Sequence, residues 1–191
     1  MDHKFARASR GPRSDSLRNR ERLISAAREV FGEGGASLEA VARRAGVGIG
    51  TLYRHFPTRD ALFQAVYRHE VEQLVVLAEQ LSLTAAPDEA FRRWVHANID
   101  MVATKRGMLA ALAPSPDGAK AVFDDARAQL LATIDVLMRR AQDAGTLRAD
   151  VAAEDVLRAL FGICYSHDDA DWQVKVTRLV DVFIDGLERR N

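Results

Sequence analysis

Residues 46–56 read GVGIGTLYRHF. Three glycines open the stretch. Thr51, Tyr53, Arg54 and His55 then crowd hydroxyl, phenol, guanidinium and imidazole groups into its second half. Leu52 and Phe56 stand four apart, so a helix here buries one side and shows its donors on the other. Gly46 supplies the positive φ that closes a preceding helix. Gly48 and Gly50 leave the start of the new helix bare, so its N–H groups can approach a phosphate or a base edge. Pro57 ends the helix, and Thr58 caps the next one.

Upstream, Leu23, Ile24, Ala27, Val30 and Phe31 form a stripe at helical spacing that stops at the glycines of FGEGGAS, residues 31–37. Ser37 caps a second helix with Leu38, Val41, Ala42 and Ala45 on one face, and Glu39 sits in its first turn where the dipole favours it. Two short helices joined by a tight glycine turn make a helix-turn-helix, whose second helix enters a DNA major groove. Taken alone, the same pattern describes a third helix in a bundle with a polar outer face.

The longer stretch AVARRAGVGIGTLYRHFPTRDAL, residues 40–62, resembles the DNA-binding signature of TetR-family transcriptional regulators. The resemblance reaches back to about residue 17 and forward into the helix after Pro57. It implies an all-α protein whose N-terminal helix-turn-helix binds a palindromic or near-palindromic operator as a homodimer. It also implies a C-terminal bundle that answers an unidentified small-molecule effector. Ser37 matches a position that touches backbone phosphate. Gly48, Ile49, Gly50, Thr51, Tyr53, Arg54 and His55 fall on the recognition-helix surface, and Arg59 matches a basic position that reaches phosphate. Val47, Leu52 and Phe56 match the small core beneath. Gly48 departs from the family's common Ser, which costs a helix start only a few tenths of a kcal/mol but removes a phosphate donor. Ile49 replaces a commonly polar residue and offers an apolar contact, such as one to a thymine methyl. The loop GEGGAS lacks the bulky apolar residue expected before the second helix.

Charge supports a polyanion at this end. Residues 1–60 carry 12 Lys/Arg against 7 Asp/Glu, although the 191-residue chain as a whole is neutral. Lys4, Arg7, Arg10, Arg13, Arg18 and Arg20 make residues 1–15 and their continuation a basic arm suited to phosphates or the minor groove. A merely solvated tail has the same composition. One cysteine excludes an internal disulfide, and no apolar run approaches a membrane span or a signal peptide. A cytoplasmic protein without cofactor is the expectation.

The remaining chain reads as helices near 59–82, 88–104, 108–113, 117–144, 154–166 and 171–189, giving about nine in all. Ser115 and Pro116 suit an N-cap and first position. The domains are expected as an arm at 1–15, the helix-turn-helix at 16–60, and an effector and dimerisation bundle at 61–191. Leu62, Val66, Leu74 and Leu77 would let the helix from 59 act as a lever between them, with the 108–113 segment as a movable joint between Gly107 and Pro114. Trp94, Asn98, Met101, Met108, Phe123, Met138 and Tyr165 are candidates for a pocket lining, each of them equally at home in a core. Asn98 interrupts an apolar face and needs a partner, either a ligand or a nearby carbonyl. The family resemblance assigns the last two helices to a dimer contact through Leu157, Phe161, Val176, Leu179, Val180, Phe183 and Leu187. The alternative is that both faces are satisfied within one chain. Two other functions compete. One is a DNA-binding regulator without an effector. The other is an enzyme using Cys164, His167 and Asp168, or a metal at HDDAD, residues 167–171; a core thiol and a helix-capping loop explain those residues more simply.

Overall fold

The computed structural model describes residues 12–35 and 37–189. Lys4, Arg7 and Arg10 lie outside the described residues, as does the side chain of Arg13. Eight helices follow in order: α1 (Pro12–Gly32), α2 (Leu38–Ala45), α3 (Ile49–His55), α4 (Arg59–Thr84), α5 (Pro87–Leu112), α6 (Pro116–Asp143), α7 (Ala153–Cys164) and α8 (Trp172–Leu187). Among the described residues the sole β feature is an isolated bridge between Leu147 and Glu188.

Two expectations change. Helix α1 starts at Pro12, so residues 12–15, assigned to the arm, are its first turn. Proline suits that place because its missing N–H is unneeded there, and Asp15 adds a favourable charge. The separate helices expected at 88–104 and 108–113 are one helix, α5, which makes the total eight. Gly107, expected between the two helices, lies inside α5. A Cβ built on Gly107 would sit 1.9 Å from the Phe31 carbonyl oxygen of α1. The glycine therefore lets two helix backbones touch, and the segment expected as a joint is the unbroken end of α5, which runs to Leu112.

Helices α1 to α3 close over Leu23, Ala27, Phe31, Val41, Ala45, Leu52 and Phe56, all buried. Burying Leu52 and Phe56 contributes about 1.5–3 kcal/mol each, which fixes a helix of only 7 residues that has little stability of its own. Helices α4 and α5 form the spine of the bundle. Phe63, Val66 and Leu74 of α4 meet Phe91, Trp94 and Val102 of α5 in its core. The Trp94 indole N–H donates to the Leu74 carbonyl at 2.9 Å, which satisfies the one polar atom of a fully buried ring.

Two contacts seat the N-terminal unit on this spine, and a third fixes the start of α4. Gly107 abuts Phe31. Arg28 Nε of α1 lies 2.6 Å from Oε1 of the buried Glu70 of α4, which Thr104 of α5 also hydrogen-bonds. At the start of α4, the Asp60 carboxylate accepts from the Ser115 N–H at 2.9 Å and from its hydroxyl at 2.6 Å. Ser115 thus ties the α5–α6 loop to the residue that follows Arg59.

Candidate nucleic-acid interface

The turn between α2 and α3 forms as its glycines require. Gly46 takes φ 66 and sends its N–H to the Ala42 and Arg43 carbonyls. Gly48 is the N-cap of α3 and has no side chain with which to cap it. Nothing lies within 4 Å of a Cβ built on Gly48 or Gly50, so the open end of α3 faces free space. Ile49 is 37% and Tyr53 48% exposed. Arg54 is exposed beside them, Thr51 and His55 are half-buried, and Leu52 points inward. The donors expected at the DNA therefore share one outer face with the bare helix start. Arg59 is exposed in the first turn of α4, which Thr58 caps by accepting from the Ala61 N–H at 3.0 Å.

Ser37 is more occupied than its expected role implies. Its Oγ accepts from the Ala40 N–H at 3.2 Å and donates to Glu39 Oε2 at 2.8 Å. The Glu39 carboxyl is held below its ordinary value by its own backbone N–H and by that hydroxyl. A phosphate arriving here meets a negative neighbour. Two arginines stabilise the unit rather than face outward freely: Arg20 stacks 5.3 Å from the Phe56 ring centroid, and Arg44 pairs with Glu33 at 2.8 Å and with Glu29 at 3.5 Å. Arg18 lies 3.9 Å from Asp15 within α1.

A cavity of about 310 Å³ opens between α4, α5, α6 and α7. Tyr67, Lys105, Phe123, Leu130, Leu131, Leu157, Phe161 and Tyr165 line it, with Arg127, Glu154 and Arg158 also in its wall. Phe63 and Tyr67 stack with centroids 6.0 Å apart, and Phe123 meets both edge-on at 5.7 and 5.1 Å. The Lys105 ammonium sits 3.9 Å from the Phe123 centroid, with Tyr67 and Tyr165 at 5.6 and 5.8 Å.

Of the residues expected at a pocket, Phe123 and Tyr165 are in this wall. Trp94, Asn98, Met101, Met108 and Met138 are buried in the core away from it. Asn98 is satisfied by a carbonyl of its own helix, donating to Trp94 O at 2.8 Å. Sequence reading missed Tyr67 and Lys105. The helix expected at 88–104 stops short of Lys105, whereas Phe63 and Tyr67, four apart on the long helix, are a usable signal for an aromatic wall.

The expected dimer residues also separate. Leu157, Val176, Val180 and Leu187 are buried inside one chain, and Phe161 belongs to the cavity. The four buried side chains offer no surface to a second chain, and Phe161 is half-buried. Leu179 remains 43% exposed, and Phe183 is half-buried next to it. Val182, not singled out from the sequence, is 71% exposed. Gly162 of α7 and Gly186 of α8 have nothing within 4 Å of a built Cβ.

Cys164 is buried, and burial pushes its thiol up to about 11, which disfavours a nucleophilic thiolate. The acidic loop is used structurally. Asp169 pairs with Lys175, and Asp171 is the N-cap residue of α8. The His167 carbonyl accepts from Arg106 at 2.8 Å.

Residues 23–66 match the family of bacterial regulatory proteins of the tetR family, and residues 86–189 match the SbtR-like transcriptional regulator C-terminal domain. A TetR transcriptional regulator of Streptomyces coelicolor is 38% identical, with a TM-score of 0.78 over 90% of this chain and 99% of that one. A TetR transcription regulatory protein of Mycobacterium vanbaalenii is 33% identical, with a TM-score of 0.73 over 94% of this chain and 100% of that one. An HTH-type transcriptional repressor of Mycobacterium tuberculosis is 28% identical over 181 residues, 90% of this chain and 81% of that protein. The chain belongs to the TetR family of transcriptional regulators, and its helix-turn-helix is that of a DNA-binding regulator.

Proposed function

We propose that this TetR-family regulator is a cytoplasmic homodimeric repressor that leaves a palindromic or near-palindromic operator when a small molecule fills the α4–α7 cavity. One observation carries the reading: the helices that wall the cavity also hold the DNA-reading unit. Lys105 in the wall lies two residues from Gly107, whose backbone meets α1. Tyr67 in the wall lies on α4, which begins at Arg59 beside the reading face. A ligand that shifts either helix therefore shifts α1 or the start of α4 along with it, because close-packed helices do not deform independently.

On the DNA, Gly48 and Gly50 admit the duplex close to the start of α3, while Thr51, Tyr53, Arg54 and Arg59 supply donors to phosphates and base edges. Ile49 supplies an apolar contact, and Ser37 and His55 flank the face. Two such faces read half-sites roughly 34–36 Å apart, or a multiple of that, as the pitch of DNA requires. The second chain docks on the outer side of α7 and α8, where Leu179, Val182 and Phe183 offer apolar surface and Gly162 and Gly186 allow close helix approach. A switch from 99:1 bound-competent to 1:99 takes about 5.5 kcal/mol of differential affinity, which two cavities per dimer would share.

The test selects an operator from a random duplex pool, then screens small molecules by thermal shift and measures operator binding with each hit. Ligands that bind stoichiometrically in the cavity should release the duplex. If they leave its affinity unchanged, release by ligand is refuted and repression by occupancy alone takes its place.

A further inference from the structure

The charged groups around the cavity are unevenly satisfied. Arg127 and Arg158 both pair with Glu154, at 2.9 and 3.0 Å, so the charges at that part of the wall largely answer one another. Lys105 has no carboxylate partner among the described residues, and its ammonium rests against aromatic faces. Burial lowers it from its ordinary value, as expected for a cation removed from water without a counter-charge. Around it stand Tyr67, Leu130, Leu131, Leu157 and Phe161, which offer an apolar wall to the rest of any occupant. The lining as a whole holds three cationic side chains against one carboxylate.

From this arrangement we propose that the cavity takes a compact apolar molecule bearing a single carboxylate, which pairs with Lys105 while its hydrocarbon or ring lies against Leu130, Leu157 and Phe161. The inference rests on the cavity being the effector site and adds the chemical class of the effector. A carboxylate gives the buried ammonium the charge-assisted hydrogen bonds that aromatic faces cannot supply. A cationic ligand would have to displace Lys105 from its aromatic seat and face the arginines as well. The arginine pairs with Glu154 leave Lys105 as the cation of the wall without a carboxylate, which matches a ligand with one negative charge. The cavity is at the small end of ordinary ligand sites, which fits one or two rings or a medium alkyl chain.

The test is calorimetric titration of the full-length protein with 2-naphthoate, 4-phenylbutanoate and decanoate, each against its primary amide, and with benzyltrimethylammonium. At least one acid should bind stoichiometrically, and about ten- to a hundredfold more tightly than its amide, the range expected for a hydrogen bond to a charged group. Lys105→Met should abolish that preference. The acid–amide comparison uses the unaltered protein, so it decides the matter even if the variant folds poorly. The proposal is overturned if no acid binds, if amides match their acids, if the quaternary ammonium binds more tightly than the acids, or if a folded Lys105→Met retains the preference. Operator release is read separately. An acid that meets these criteria and leaves the operator bound supports the ligand class and refutes the effector reading.

Discussion

Around Gly48 and Gly50 a built Cβ meets nothing within 4 Å, whereas at Gly107 it would lie 1.9 Å from the Phe31 carbonyl oxygen. Gly107 sits in a helix interior and weakens its helix by roughly 0.5–1 kcal/mol relative to alanine, whereas Gly48 is an N-cap, where glycine is preferred to alanine. The absence of a side chain serves different neighbours. At the end of α3 the space is kept for a molecule outside the chain. At the middle of α5 the space is already filled by the chain itself. The first region is free to change its sequence at the expense of recognition. The second cannot change without moving the DNA-reading unit on its spine.

Gly107→Ala should break the closed contact and show the largest effect. Overpacking of this kind costs about 1–3 kcal/mol, so the denaturation midpoint should fall clearly. Operator affinity should fall with it, because α1 must move off α5. A variant with unaltered midpoint and affinity would mean that the two helices yield easily and that Gly107 couples nothing.

At the open end the expected effects fall on recognition alone. Thr51→Ala, Tyr53→Ala and Arg59→Ala should each weaken operator binding, by about tenfold where a net hydrogen bond of about 1–1.5 kcal/mol is lost. Their denaturation midpoints should hold. For each phosphate contact removed, the slope of log affinity against log salt should flatten by about 0.9. Unchanged slopes and affinities in all three would remove this face from the DNA.

The seam has a titratable member as well. Burial raises the Glu70 carboxyl above its ordinary 4.5, against the opposing pull of Arg28 and Thr104. A carboxyl raised in the folded state binds its proton more tightly there than in the unfolded chain. Its contribution to stability is therefore full below its unfolded value and is lost as pH rises through its folded value. Glu70→Gln should flatten the part of the stability profile that lies above the carboxyl's ordinary value. An identical profile in the variant would show that Glu70 titrates normally.

Gly48→Ser should change least in stability, by a few tenths of a kcal/mol, since both residues are accepted at an N-cap. It should nevertheless strengthen operator binding by adding a hydroxyl donor, as measured by duplex titration at fixed salt. A large loss of stability there would mean that the space in front of α3 is not free.

The contrast also marks what the sequence could disclose. Gly46, Ser37, Pro57 and Thr58 act through their own neighbours along the chain, and the turns and caps they imply are the ones formed. Gly107 acts through Phe31, 76 positions away in the numbering, and no local pattern separates a glycine that ends a helix from one that lets another backbone in. Met101, Met108 and Met138 suit a pocket wall and a core equally, and local sequence does not distinguish a face that closes on core from one that borders a cavity. Val176 and Val180 look outward-facing on a broad apolar helix, yet their own chain covers them. Lys105 looks like surface charge until Tyr67, Phe123 and Tyr165, from three different parts of the chain, assemble around it.

The most direct test of the central claim, that the open end of α3 reads DNA while the rest of the fold holds it in place, is fluorescence anisotropy with a duplex selected by the parent protein and a scrambled duplex of equal length. The parent should prefer the selected duplex by at least about 10³. The doubly substituted Tyr53→Ala, Arg54→Ala protein should keep its denaturation midpoint and lose most of that preference. A folded double variant that still discriminates between the two duplexes as the parent does would contradict the account.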